Sequence, residues 1–326
     1  MDSKPHPKDK YSLRKVGRPF TESHRIYFES NHHPISPIHD IPLVHTPSQN
    51  GCPRIFNMIV EIPRWTNPKF EISLTHPFNP IHQDTYPSSS SPPHHLRFQP
   101  SIHPFTGYPF NYGALPQTWE DPFHPDPHTH IRGDNDPLDA CEIGQRIAHT
   151  GDVKAVKVLG VLGLIDQEET DWKVVVIDVE DPMAGRVNDV GDVEGVMPGV
   201  LEGMRDWFRV YKIPEGGEEN KYAFGGEVKG RGFAEGVIGG CHRGWKRLVM
   251  GEVECAEASL ENTTLEGTPG KMDPGDVDLP PNEDLSPAPI EDDLGRWYFV
   301  DREKLDSKEE EESLERSKLE INLELK

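Results

Sequence analysis

Apolar side chains recur along this chain with two different periods. Residues 55–62 are rich in β-formers, 63–68 carry turn chemistry, and Lys69-Phe70-Glu71-Ile72 alternates polar with apolar side chains. That pattern predicts two strands around a turn, with Lys69 and Glu71 on one face. Residues 153–165 and 172–179 are almost continuously apolar and are joined by an acidic connection at 166–171. Unbroken β-prone runs of this kind imply strands covered on both sides, as in a barrel wrapped by other elements. Helical spacing enters later, at 200–211 and 233–250. In the second of these, Ala234, Val237, Ile238, Cys241, Trp245, Leu248 and Val249 form one apolar stripe predicted to pack on the barrel. Gly236, Gly239, Gly240 and Gly244 interrupt it, each costing about 0.8–1 kcal/mol against alanine where exposed, so this helix is a soft element.

The remaining segments read as connections. Residues 86–93, with four serines and three prolines, cannot form a ladder and are expected to be a flexible loop. Beyond Glu257 the composition turns to Pro, Gly and acid until Arg296-Trp297-Tyr298-Phe299, whose adjacent aromatics are expected to dock against the body. An acidic run centred on 309–312 follows.

Charge narrows the classes of partner. Asp+Glu 56 against Lys+Arg 34 gives a formal net charge of −22, which disfavours naked nucleic acid and anionic lipid, because both need clustered Lys and Arg. Gly 29 and Pro 32 argue for a β-rich or loop-rich body over a helix bundle. Cys52, Cys141, Cys241 and Cys255 form no CxxC pair, so neither a zinc knuckle nor a redox dithiol is indicated. No apolar stretch reaches the roughly 18 residues of a membrane helix and the start lacks an apolar signal core, so a cytoplasmic protein is expected. Basic residues between Lys4 and Arg18 leave the mitochondrion as the alternative compartment. Asn262-Thr263-Thr264 matches a glycosylation sequon and is read as chance.

The densest chemistry lies in Gly133-Asp134-Asn135-Asp136-Pro137-Leu138-Asp139, where Pro137 disfavours helix and lets three carboxylates converge from one loop. An EF-hand is excluded, because the positions requiring glycine and acid hold Asp139 and Gln145. A bare DxD is otherwise a solvated turn; its surroundings argue for more. Asp166, Glu168, Glu169 and Asp171 lie between two buried strands, Asp171 and Lys173 face the same way, and Glu61 and Glu71 add acids beside Lys69. Arg97, Lys173, Lys212, Tyr108, Tyr112 and Tyr211 supply cations and phenols. Acids for hard divalent ions together with groups that grip phosphoryl oxygens describe a phosphate-transfer site. No GxxxxGK[ST] loop competes with this reading. The histidines between His94 and His130 sit in Pro-rich loops and are read as solvated, not as zinc ligands.

Five runs then carry a resemblance: VEIPRWTN at 60–67, NYGALPQTWEDP at 111–122, GDNDPLDACEIG at 133–144, ETDWK at 169–173 and WFRVYKIP at 207–214. In this order they resemble soluble inorganic pyrophosphatases of the fungal and animal type, over about residues 11–300. The resemblance implies a mainly β fold with flanking α, an OB-like five-stranded β-barrel wrapped by helices and long loops. It also implies magnesium-dependent hydrolysis of inorganic diphosphate to two orthophosphates by a hydroxide shared between metals, and a homodimer. Position by position, Asp134, Asp139 and Asp171 match ligands of the two activating metals, Asp139 bridging them. Asp166 and Glu71 match acids serving substrate-borne metals, with Glu61 on the same rim. Asp136 matches the carboxylate that orients and deprotonates the attacking water. Arg97, Tyr211 and Lys212 would hold one phosphoryl group, Lys69 and Tyr112 the other, with Lys173 nearby. Tyr108 matches a tyrosine assigned as a proton donor and is given a hydrogen-bonding role here, since a phenol near pKa ~10 is a slow acid at neutral pH.

The same reading divides the chain into an arm at 1–20, a catalytic barrel domain at 21–255, a segment docking back at 256–301 and an acidic tail at 302–326. Two departures from the family pattern stand out. Residues 86–95 lack the family's lysine-rich stretch, and Phe105-Thr106-Gly107 replaces His-His-Gly near a surface linked to dimer contact. The rival readings are a catalytically silent scaffold of the same fold and a nucleotide-sugar transferase using Asp134-x-Asp136.

Overall fold

The computed structural model describes residues 10–47, 53–86, 96–253, 258–290 and 292–305. Cys52, Cys255, most of the Ser/Pro-rich loop and the acidic run after residue 305 lie outside them. In chain order the strands are β1 (Ser12–Val16), β2 (Arg25–Ser30), β3 (His33–Ile35), β4 (Val44–Thr46), β5 (Ile55–Ile62), β6 (Phe70–Ile72), β7 (Ile81–Gln83), β8 (Ser101–Ile102), β9 (Asn111–Ala114), β10 (Asp139–Glu142), β11 (Val153–Asp166), β12 (Glu169–Asp178), β13 (Lys221–Tyr222), β14 (Lys229–Gly230) and β15 (Trp297–Tyr298). Helices α1 (Val190–Val196) and α2 (Val200–Val210) follow β12, and α3 (Arg231–Val249) follows β14.

Five strands close into a ring. β11 pairs antiparallel with β12, β12 parallel with β10, β10 antiparallel with β9, β9 antiparallel with β5, and β5 antiparallel with β11. The long apolar runs behave as their sequence requires: β11 is buried along its first twelve residues and β12 along all but its first. Alternation divides their side chains between two clusters. Val156, Val158, Val161, Val174 and Val176 join Ala234, Val237 and Ile238 of α3, whereas Leu159, Leu162, Leu164, Val175 and Ile177 join Val193 of α1 and Met204, Trp207, Phe208 and Val210 of α2. The inversion of odd and even positions along β11 comes from a bulge between Val158 and Gly160. Gly160 is required there, because a Cβ would stand 2.5 Å from the Lys229 carbonyl oxygen.

Two sequence expectations change. The runs at 55–62 and 69–72 do not form a hairpin: β5 stays in the ring, while β6 pairs with β7 in a second sheet, order β1-β2-β7-β6. The turn between them leaves the ring because Trp65 adopts φ +64° and its N–H donates to the Tyr108 carbonyl at 2.7 Å. The α3 stripe also divides. Its first half packs on the ring, but Trp245, Leu248 and Val249 form a separate cluster with Trp119. The short α1 was not visible in the pattern, its seven residues having a single buried member, Val193.

The C-terminal segment straps the body. Asp40, buried, accepts the Thr263 and Thr264 N–H groups at 3.0 and 2.8 Å and the Thr264 hydroxyl at 2.6 Å. Residues 280–287 then run beside β1, with Lys15 N–H donating to Asn282 Oδ1 at 2.8 Å and Gly17 N–H to Glu283 Oε2 at 2.6 Å. Asn262 of the sequon is fully buried, its amide donating to Leu260 O and Thr268 Oγ1. The aromatic patch docks through its backbone, β15 pairing parallel with β8, yet Trp297 and Phe299 remain 46% and 72% exposed.

The helix glycines differ in surroundings, and this gives a test. A Cβ on Gly236 would meet nothing within 4 Å, whereas one on Gly244 would lie 3.1 Å from the Trp119 carbonyl oxygen. Gly236→Ala is expected to raise stability by about 0.8–1 kcal/mol, the helix-propensity gain. Gly244→Ala is expected to gain less or lose, read from urea unfolding midpoints at equal slope.

Candidate active site

The site is built at one end of the ring, where strand register fixes which side chains meet. Asp139 opens β10 and stands opposite Lys173 of β12 and Ala114 of β9. Asp171, two residues before Lys173, shares its face of the strand. Lys173 Nζ consequently meets Asp171 Oδ2 at 2.5 Å, pairs closely with Asp139, and donates to the Tyr112 hydroxyl at 3.0 Å. The Tyr112 hydroxyl in turn donates to Asp139.

The acid loop is pinned from behind. Leu138 N–H donates to Thr118 Oγ1 at 2.9 Å, and Trp119 Nε1 donates to Asn135 Oδ1 at 2.9 Å. Glu120 N–H donates to Asp136 O while Asn135 N–H donates to Glu120 O. Gly133 has no room for a side chain, since a Cβ would come within 2.5 Å of the Glu120 carbonyl carbon.

From the other walls, Asp166 at the end of β11 accepts Lys212 Nζ at 2.5 Å and the Tyr211 hydroxyl at 2.8 Å. Lys69 Nζ lies 2.9 Å from Glu71 and 2.7 Å from Asp84, and Arg97 spans Asp84 at 2.7 Å and Glu215 at 2.9 Å. All fourteen side chains singled out in the sequence line one cavity of about 240 Å³. Glu61 is the most structural of them, its Oε1 accepting the Ile72 N–H at 2.7 Å and so tying β5 to β6.

Glu120, within the run at 111–122, carries no local signal of a role in the sequence. It is 4% exposed, Trp172 N–H donates to its Oε1 at 3.1 Å, and oxygens of Glu120, Asp134 and Asp171 lie within 4.8 Å of one another. Only its tertiary position behind the loop distinguishes it from an ordinary acid. Asp84 and Glu215, which hold Arg97, were missed for the same reason.

Electrostatics bear on what the cluster can hold. Burial first, then neighbouring carboxylates, holds Asp134, Glu120 and Glu61 well above the usual carboxylate range. Burial raises Asp171 to about 7 even though Lys173 opposes it. Asp136 is exposed on the cavity wall, and desolvation within that recess, then Glu71 and Asp139, raises it to about 7. Glu120 Oε2 and Asp171 Oδ1 are buried without a hydrogen-bond partner. Converging oxygens that repel one another, two of them unpartnered, fit a hard divalent cation.

A family model described as inorganic pyrophosphatase matches residues 58–246. The inorganic pyrophosphatases of Neurospora crassa and Emericella nidulans are 50% and 49% identical over 291 residues, spanning 89% of this chain and 97% and 98% of theirs. The chain belongs to the inorganic pyrophosphatase family. Among solved structures, the inorganic pyrophosphatase from Schistosoma japonicum is similar at 40% identity and TM-score 0.77, covering 89% of this chain and 100% of that one. The recombinant enzyme from T brucei brucei follows at 40% identity and TM-score 0.68, covering 74% and 71%. The closed ring is the OB-like barrel of this family, and the protein is an inorganic diphosphatase. Among the described residues no helix is long and apolar enough to cross a membrane.

The displaced carboxyls give a pH-dependent prediction. Their folded pKa values lie above the unfolded ones, so the folded state takes up protons that the unfolded chain does not; for Asp136 and Asp171 this happens between about pH 4 and 7, and without metal that stabilisation is lost as pH rises through about 7. A divalent cation competes for the same oxygens. The melting-temperature increase it produces should therefore be larger at pH 8 than at pH 5. Glu120→Gln, which keeps an acceptor for Trp172 N–H, should shrink the increase at pH 8; thermal melts with and without the cation measure both effects.

Proposed function

We propose that the enzyme hydrolyses inorganic diphosphate to two orthophosphates with magnesium as its cofactor, several ions serving each site and some arriving with the substrate. The observation that carries this reading is the single cavity lined on one side by hard oxygen donors and on the other by phosphate-gripping cations and phenols. Asp134, Asp139 and Asp171, with Glu120 behind them, would hold the activating ions, and Asp166, Glu71 and Glu61 the acidic rim that receives the substrate's own. Bound magnesium would acidify a coordinated water below its bulk pKa of about 15.7 and neutralise charge on the phosphoryl oxygens.

The side chains do the rest. Asp136, displaced to about 7, is poised to take a proton from the attacking water near neutral pH. Arg97, Tyr211 and Lys212 orient one phosphoryl group, Lys69 and Tyr112 the other, and Lys173 faces both the acids and Tyr112. Tyr108 lies with its ring against Trp207 and Tyr112, and burial raises its hydroxyl further from neutral pH, which favours hydrogen bonding over proton donation. A silent scaffold is disfavoured because every position carried over from the family keeps its residue type. Orthophosphate release from diphosphate with and without magnesium tests the reading. Asp136→Asn should retain fold and cation binding but lose about 10²–10⁴ in single-turnover rate, the contribution of a positioned base; a near-normal rate would remove Asp136 from that role.

The quaternary proposal is a homodimer. Trp297, Tyr298 and Phe299 stay exposed beside His103, and Trp65, 57% exposed, sits on a turn bonded to the same stretch through Asn67 Nδ2 donating to Ser101 Oγ. Exposed aromatics of this density mark an interface. Sedimentation should give twice the 36.8 kDa chain mass, and Trp297→Glu should shift it toward the monomer. We assign the enzyme to the cytoplasm, with the mitochondrion as the alternative that subcellular fractionation decides.

A further inference from the structure

The cations that face the cavity are each held by acids of the chain itself, and those acids are of two kinds. Lys212 is held by Asp166 at 2.5 Å, and Lys173 by Asp139 and Asp171. These acids belong to the set assigned to metal. Arg97 is held by Asp84 and Glu215, which do not, and Lys69 is shared between Glu71 and Asp84. An ammonium and a divalent ion cannot both occupy the near lone pairs of one carboxylate without strong repulsion between them.

We propose that divalent cation binding releases Lys212 and Lys173 from their carboxylates, so that the groups meant to grip phosphoryl oxygens become available only in the metal-loaded enzyme. The inference rests on the assignment of Asp139, Asp166 and Asp171 to metal in the proposed function. Without the ions the cavity presents capped cations among excess acids, and a phosphate meets repulsion. With them, the sign of the acid wall inverts and two ammonium groups lose their partners in the same event. Arg97 keeps its clamp in both conditions, because Asp84 and Glu215 fix the guanidinium and leave with no ion. Binding of metal and of phosphate is thus coupled through the chain's own ion pairs as well as through direct metal–phosphate contact.

The test isolates that internal part by leaving metal out. Orthophosphate is titrated calorimetrically into chelator-stripped wild type, Asp166→Asn and Glu169→Gln. Asp166→Asn removes the charge that pairs with Lys212 and leaves an amide oxygen that still accepts from the Tyr211 hydroxyl. Glu169→Gln removes an equal charge from the lining of the same cavity, and no ion pair holds Glu169 to a cation among the described residues. Freeing one charge-assisted partner should tighten metal-free phosphate binding by about tenfold in Asp166→Asn, with little change in Glu169→Gln. Equal gains in both variants, or none in either, overturn the proposal.

A second measurement uses wild type alone, in case Asp166→Asn does not fold. Acetylation of Lys212 by an amine-reactive reagent, followed by mass spectrometry, should accelerate once magnesium is raised far enough to fill the Asp166 rim as well as the activating sites in the absence of substrate; an unchanged or slower rate overturns the release. Neither readout involves turnover. A wild type that hydrolyses diphosphate with magnesium but fails these tests keeps its function and loses the coupling, whereas one that never hydrolyses diphosphate loses the function whatever its phosphate binding.

Discussion

Mutual repulsion among converging carboxylates is the constraint around which this molecule is organised. Oxygens of Glu120, Asp134 and Asp171 share a space no wider than 4.8 Å, and with all three ionised, unit charges at about 4–5 Å in an effective dielectric of about 20 would repel by roughly 3–4 kcal/mol per pair. Such a cluster would spread apart on a pliable loop. Here Asp139 and Asp171 stand on strands of a closed ring, Lys173 is placed between them by the parallel register of β10 and β12, and the 133–138 loop is bonded to Thr118, Trp119 and Glu120. The ring supplies the stiffness that the electrostatics oppose.

The wall facing the acids is aromatic. Trp207 stacks on Tyr211 one helical turn on, and Tyr108, Phe110 and Tyr112 pack against one another and against α2. Lys173 Nζ lies 5.3 Å from the ring centres of both Tyr112 and Phe208, which favours the ammonium in a site where it is almost fully buried. These rings form a wall of low polarity without adding charge, and a low local dielectric strengthens polar contacts directed at a phosphoryl group. A protein of net charge −22 can accept a polyanion only at such a place, where local cations and bound ions override the long-range field.

Further out, the architecture holds the site's supports in position. Helix α3 covers the ring with its first half and reaches Trp119 with its second, so the tryptophan that donates to Asn135 is itself packed. The C-terminal strap closes over Asp40 and β1 through hydrogen bonds and packs Leu260 and Leu265 on the cluster of Trp119 and Trp245.

Much of this was legible in the residue order. The continuous apolar runs of β11 and β12, the stripe of α3 and the acid loop broken by Pro137 are local patterns, and local patterns state their own period and chemistry. The family resemblance added which acids, cations and phenols belong to one site, and all of them do line one cavity. What the sequence could not state were relations between distant segments. It placed β5 and β6 in one hairpin, because adjacency and alternation favour that, while the bonds from the 63–68 turn to Tyr108 send them to different sheets. It passed over Glu120, Asp84 and Glu215, whose significance lies in a burial and a set of partners far along the chain. Covalent neighbours determine period, turn chemistry and the inventory of charges; which charges face one another, and how far out of water, is decided only when register and packing bring residues 60 or 100 positions apart into contact.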